Sequence, residues 1–182
     1  MSEITKIGDL EFTPYISEED IVKRIRMLAN MINEDYEGQL VDIIVILKGA
    51  FMFGADLIRQ LKIPHKIHFA QCSSYEGTRS SGSVKICMDN DVDLKGSQIL
   101  IVEDIIDTGQ TLLDFISYLN DSDPMDISVA ALLHKHKVSN FPYPVDYCGF
   151  KIDDNFVVGY GMDYNEEGRN IPDILVIADE EE

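Results

Sequence analysis

Three acids, Glu103, Asp104 and Asp107, stand close together and are followed at once by Thr108-Gly109-Gln110-Thr111. They come directly after Gln98-Ile-Leu-Ile-Val102, a short apolar run that reads as a buried strand, and before a helical pattern of Leu112, Phe115, Ile116 and Leu119. A strand, an acidic loop over 103–108 and a helix start together suit a sugar phosphate. Free N–H groups at a helix start, with the Thr108 and Thr111 hydroxyls beside them, hold phosphate without much side-chain charge. Adjacent carboxylates such as Glu103 and Asp104 accept from vicinal hydroxyls or hold Mg²⁺, a cation that takes oxygen ligands. Asp107 is then left to accept a proton.

Other phosphate motifs fail on spacing. A P-loop needs GxxxxGK[ST], but Gly109 is followed by Gln110 and has no Gly five positions earlier. Gly159-Tyr-Gly161 lacks the third glycine of a dinucleotide fingerprint. The balance of 15 Lys and Arg against 33 Asp and Glu, net −18, argues against a nucleic-acid surface or an anionic membrane partner. Any phosphate must therefore be held by local chemistry.

The elements that position these residues alternate between strand and helix. Ser17-Glu-Glu-Asp20 has the form of a capping box, and Ile21, Ile25, Leu28 and Ile32 follow at helical spacing. Ile43–Leu47 reads as a strand buried on both faces, ended by Lys48-Gly49, with a helix over about 50–61 after it. Strands are further expected at 65–72, 84–88, 126–133, 145–152, 156–160 and 174–177, with a polar loop between the first two, Ser73–Gly82. The pattern predicts an α/β fold with a mostly parallel central sheet flanked by helices, whose ligands sit at the carboxyl ends of the strands. At 182 residues a single domain is expected, with the acidic 179–182 as a solvated tail. Neither an export signal nor a spanning segment is visible, and Cys72, Cys87 and Cys148 form no CxxC pair, so a cytoplasmic location is expected.

The segment Val102–Leu112 resembles the phosphoribosyl pyrophosphate (PRPP) motif of type I phosphoribosyltransferases, in particular their hypoxanthine-guanine branch. Further matches occur in order: Val45–Gly49 with Phe51 and Ala55–Leu57, Ser74-Tyr75, Leu132–Lys135, and Phe156–Tyr160 with Asp163–Glu166 and Arg169. The resemblance implies a core over about 35–150 and a small hood subdomain built from the N-terminal segment and about 151–178.

It also implies roles, residue by residue. Asp107 would be the catalytic base toward N7 of a purine. Glu103 and Asp104 would face the ribose hydroxyls and Mg²⁺, with Asp163 at a second Mg²⁺ site. Thr108, Gly109, Gln110 and Thr111 would cradle the 5′-phosphate, with Gln110 standing where relatives often carry Lys. Lys48 and Gly49 would form a pyrophosphate loop with a cis Leu47–Lys48 peptide, and Arg169 would hold pyrophosphate. Lys135 would donate to a 6-oxo group, Phe156 would stack on the base and the Val157 backbone would read its edge. Ser74 and Tyr75 would open a lid. PRPP and a 6-oxopurine base would be the substrates, and a homodimer or homotetramer the assembly.

Plainer readings stand beside these. Lys135 lies in His134-Lys-His136-Lys137, which reads equally as a solvated strand end, and two histidines so placed lack a zinc ligand set. Phe156 in an apolar run is by default core, Asp163 and Arg169 are by default a surface pair, and His65 and His68 read as structural. Two functional alternatives are a xanthine-preferring relative and a regulatory RNA-binding protein on the same fold, the latter opposed by the net charge.

Overall fold

The computed structural model describes residues 4–74, 84–88 and 92–178. Tyr75, most of the loop expected over 73–82 and the tail 179–182 lie outside the described residues. Five strands run parallel in the order β4 (His65–Ser74), β3 (Val41–Leu47), β6 (Gln98–Ile106), β7 (Asp126–Lys135) and β8 (Tyr147–Ile152). A sixth, β5 (Val84–Met88), pairs antiparallel on the β4 edge.

Both faces of this sheet are covered, which explains the uninterrupted apolar runs. Ile43, Val45, Leu100 and Val102 pack with α1 (Glu18–Asp35) and α2 (Phe51–Ile58). Ile44, Ile46, Ile99 and Ile101 pack with α3 (Gln110–Asn120) on the other face. Alternation along each strand sends successive side chains to opposite layers, so every position must be apolar. The α1 start is as the sequence predicts, with Ser17 Oγ accepting from the Asp20 amide at 3.2 Å.

A polar exception within β3 is Asp42, whose Oδ1 lies 2.8 Å from His68 Nε2 on the neighbouring strand, with both side chains largely buried. Removing one member of such a pair strands the other away from water. Asp42→Ala should therefore cost about 3 kcal/mol of folding stability, read by urea unfolding.

A second, four-stranded antiparallel sheet stands at one end of the molecule, in the order β1 (Thr5–Ile7), β2 (Leu10–Ile16), β10 (Ile174–Ile177) and β9 (Val157–Val158). Phe12, Val158 and Leu175 form its small core with Ile7. We call it the hood. It is fastened to the main sheet's helices by Tyr160, which donates to Asp56 of α2 at 2.7 Å, and by Asp173, which accepts from the Glu18 amide at 2.7 Å.

Several boundaries differ from the sequence expectation. The strand expected over 98–102 continues to Ile106, because Glu103, Ile105 and Ile106 pair with Ala131, Leu133 and His134 of β7. Glu103 and Asp104 thus belong to a strand end and not to a loop, and the true loop is only 107–109. Likewise β7 extends to Lys135, and α2 ends at Ile58. Strands β1 and β2 were not expected as strands at all.

Candidate active site

The carboxyl ends of β3, β4 and β6 meet the hood at a cleft of about 320 Å³, lined by Lys48, Gly49, Glu103, Asp104, Asp107, Thr108, Gly109, Thr111, Asp163 and Arg169. A smaller recess of about 190 Å³ adjoins it, lined by Lys135, Phe156 and Val157 and sharing Asp104, Asp107 and Asp163 with the cleft. Residues from these strands, from the end of β7 and from the hood therefore converge on the two recesses. Gln110 does not line either recess, since its side chain donates to Asp114 at 2.9 Å along α3. Ser74 ends β4, and Tyr75 lies outside the described residues.

The floor of the cleft is the turn into α3. Gly109 caps this helix with φ +84°, a left-handed conformation that suits glycine, and a Cβ there would press on Phe141. Thr108 Oγ1 accepts a long hydrogen bond of 3.4 Å from the Gln110 amide, Gly109 itself offers no capping side chain, and the first turn of α3 carries no acid. The positive end of the helix is thus left for an external anion.

Glu103 and Asp104 sit where β6 parts from β3 while still paired with β7. Burial first, and the neighbouring Asp104 carboxylate second, push Glu103 well above the usual carboxylate range. Cys72 also lines the cleft, and burial with the nearby Glu103 and Asp114 charges pushes its thiol up to about 12, so it is unreactive at neutral pH. All the candidate ligands for Mg²⁺ are carboxylates, which suits a hard cation. Among the described residues no cluster of three His, Cys, Asp or Glu side chains forms a metal cage.

The upper wall carries the cations. The Leu47–Lys48 peptide is cis, as the resemblance implied. Gly49 lies so close to Asp104 that a Cβ would overlap Asp104 Oδ2. Lys48 Nζ meets Glu166 Oε2 at 2.9 Å, and Arg169 meets the same oxygen at 3.2 Å and Asp163 Oδ1 at 2.7 Å. Arg169 also donates to the Gly161 carbonyl at 2.9 Å. The hydrogen bonds from Lys48 and then Arg169 lower the Glu166 carboxyl from its ordinary value.

In the smaller recess, Lys135 Nζ donates to Asp107 and to Asp154, each at 3.0 Å. Lys135 is only 7% exposed, which removes the solvated strand end as its description. Phe156, which an apolar run would place in the core, is 44% exposed with its ring edge-on to Tyr164. The Asp163 carboxylate accepts from the Glu166 amide at 2.8 Å, so it is fixed by the hood's own turn and is more than a surface partner of Arg169.

Comparison with known proteins places this arrangement. The sequence model of the phosphoribosyl transferase domain matches residues 15–165. The chain belongs to the phosphoribosyltransferase family. Among the relatives of this phosphoribosyltransferase is the hypoxanthine-guanine phosphoribosyltransferase of Aquifex aeolicus, 39% identical over 166 residues that make up 90% of this chain and 93% of the relative. The hypoxanthine-guanine-xanthine phosphoribosyltransferase of Tritrichomonas foetus is 36% identical over 98% of both chains. A crystal structure of a Bacillus anthracis hypoxanthine-guanine phosphoribosyltransferase superposes with a TM-score of 0.85 at 37% identity, covering 97% of this chain and all of that one.

Two site residues of this phosphoribosyltransferase went without a role in the sequence. Asp154 reads as half of an Asp-Asp turn, and Glu166 as one acid among 33. The one available signal was indirect: a lysine buried at a strand end, or two cations at one cleft, must have counterions somewhere.

Proposed function

We propose that this phosphoribosyltransferase acts in purine salvage, transferring the 5-phosphoribosyl group of PRPP to N9 of hypoxanthine and of guanine, with release of pyrophosphate. The observation that carries the reading is the pair of adjoining recesses sharing Asp104, Asp107 and Asp163. One is suited to a phosphorylated sugar and the other, walled by Phe156 and closed by a buried ammonium, to a flat base bearing an oxygen.

In this reading the 5′-phosphate lies on the Thr108–Thr111 turn, held by the N–H groups of α3 and the threonine hydroxyls. Lys48 and Arg169 take the pyrophosphate from Glu166, with Gly49 allowing the loop to lie against Asp104. Lys135 donates to O6 of the base, Phe156 stacks on it, the Val157 backbone reads its edge and Asp107 accepts the proton leaving N7. Lys135 has no acceptor to offer a 6-amino group, which disfavours adenine. Glu103 and Asp104 would hold one Mg²⁺ and Asp163 would complete the site of a second, and the cations would supply charge neutralisation at the pyrophosphate. The carboxylates around C1′ favour the positive charge that develops on the sugar as the bond breaks. Ser74 and Tyr75 serve as the opening of a lid in this scheme, and the whole chain forms one catalytic domain that assembles as a homodimer or homotetramer.

The test is steady-state turnover with PRPP and each of hypoxanthine, guanine, xanthine and adenine. Hypoxanthine should turn over and adenine should not, and a preference for xanthine would favour the alternative reading. Chelation of Mg²⁺ should abolish both turnover and measurable PRPP binding. PRPP bound equally well without the cation would contradict the account of the acidic cleft. Among the described residues no helix is long and apolar enough to cross a membrane, and with the net charge of −18 we place the enzyme in the cytoplasm, apart from nucleic acid.

A further inference from the structure

We propose that Asp154 is the standing counterion of Lys135, a positioning residue that fixes the ammonium so that one N–H alone faces the 6-substituent of the base. The inference rests on the roles given above to Lys135 and Asp107. Lys135 is the last residue of β7, and its Nζ is enclosed between Asp107, from the turn after β6, and Asp154, from the connection between β8 and β9. An ammonium carries three N–H donors, and the two carboxylates claim two of them at 3.0 Å each. The third is left for the ligand. A lysine with a single partner could swing its donors over a range of directions, whereas two anchors from separate elements define where the remaining donor points.

The reaction gives the second carboxylate a further purpose. Asp107 begins with a negative charge and loses it on accepting the purine proton. At that moment a buried Lys135 paired with Asp107 alone would be left as an uncompensated cation, which is costly away from water. Asp154 takes no part in the transfer and keeps its charge, so Lys135 stays charged and in place throughout. Its location adds a structural link, because it stands two residues before Phe156. The bond to Lys135 therefore holds the stacking wall and the donor at one relative height.

The experiment compares the native enzyme with Asp154→Asn, Asp154→Glu and Lys135→Gln in steady-state assays with hypoxanthine and PRPP, with thermal unfolding of each. Asp154→Asn should raise the KM for hypoxanthine about tenfold, the worth of one charge-assisted hydrogen bond, and leave the KM for PRPP within about twofold. Asp154→Glu, which restores the charge, should return the hypoxanthine KM to within about threefold of native. An unchanged hypoxanthine KM in Asp154→Asn, with Lys135→Gln impaired, would overturn the inference alone. Equal losses toward both substrates with a lowered Tm would also overturn it, by assigning Asp154 to folding. Lys135→Gln behaving as native would remove the underlying assignment of Lys135, and the inference with it.

Discussion

Asp107→Asn is expected to slow turnover of hypoxanthine and PRPP by about two to four orders of magnitude, the usual contribution of a positioned general base. The substitution is close to isosteric, and the amide oxygen can still accept from Lys135 Nζ, now 3.0 Å from Asp107 Oδ2. What disappears is the capacity to take a proton. Lys48, Thr108, Gly109 and Thr111 line the cleft independently of that carboxylate, so PRPP should bind with nearly native affinity. Calorimetric titration of PRPP beside steady-state kcat separates the two effects. Turnover within about tenfold of native would remove Asp107 from the base role.

Gly49→Ala should damage both stability and PRPP binding by adding a single methyl group. Its Cβ would overlap Asp104 Oδ2, and the loop cannot retreat, since Gly161 of the hood lies directly over the Gly49 carbonyl. Overpacking of this kind costs about 1–3 kcal/mol of stability. The displaced Asp104 and the tilted loop should together raise the KM for PRPP at least about tenfold. Urea unfolding and PRPP kinetics read the two consequences. A native KM in a folded Gly49→Ala protein would show that the loop does not hold the pyrophosphate.

Much of the fold was legible because burial on two faces leaves a strong mark. Ile43–Leu47 and Gln98–Val102 are apolar without alternation, and only a covered sheet accepts such strands. The β1–β2 hairpin was illegible for the opposite reason. Leu10–Ile16 carries Glu11, Thr13 and Pro14, and a proline ordinarily argues against an interior strand. The structure admits it through a register shift between Ile174 and Leu175, where Pro14 stands opposite Leu175. The strand character of Glu103 and Asp104 was hidden because acids read as loop residues, whereas the ladder with β7 carries the strand on. In the site, contiguous motifs were readable and long-range pairs were not. Asp154 and Glu166 are defined by Lys135 and Lys48, 19 and 118 residues away in sequence.

The bare contact between Gly161 and Gly49 has a consequence for how the hood behaves. With Tyr160 tied to Asp56 and Gly161 seated on the loop, the hood is braced against the main sheet at neighbouring points and has no slack in which to swing. It is a wall and not a door. A base arriving beside Phe156 enters a slot whose width is already set, so little of its binding free energy is diverted into closing the protein around it.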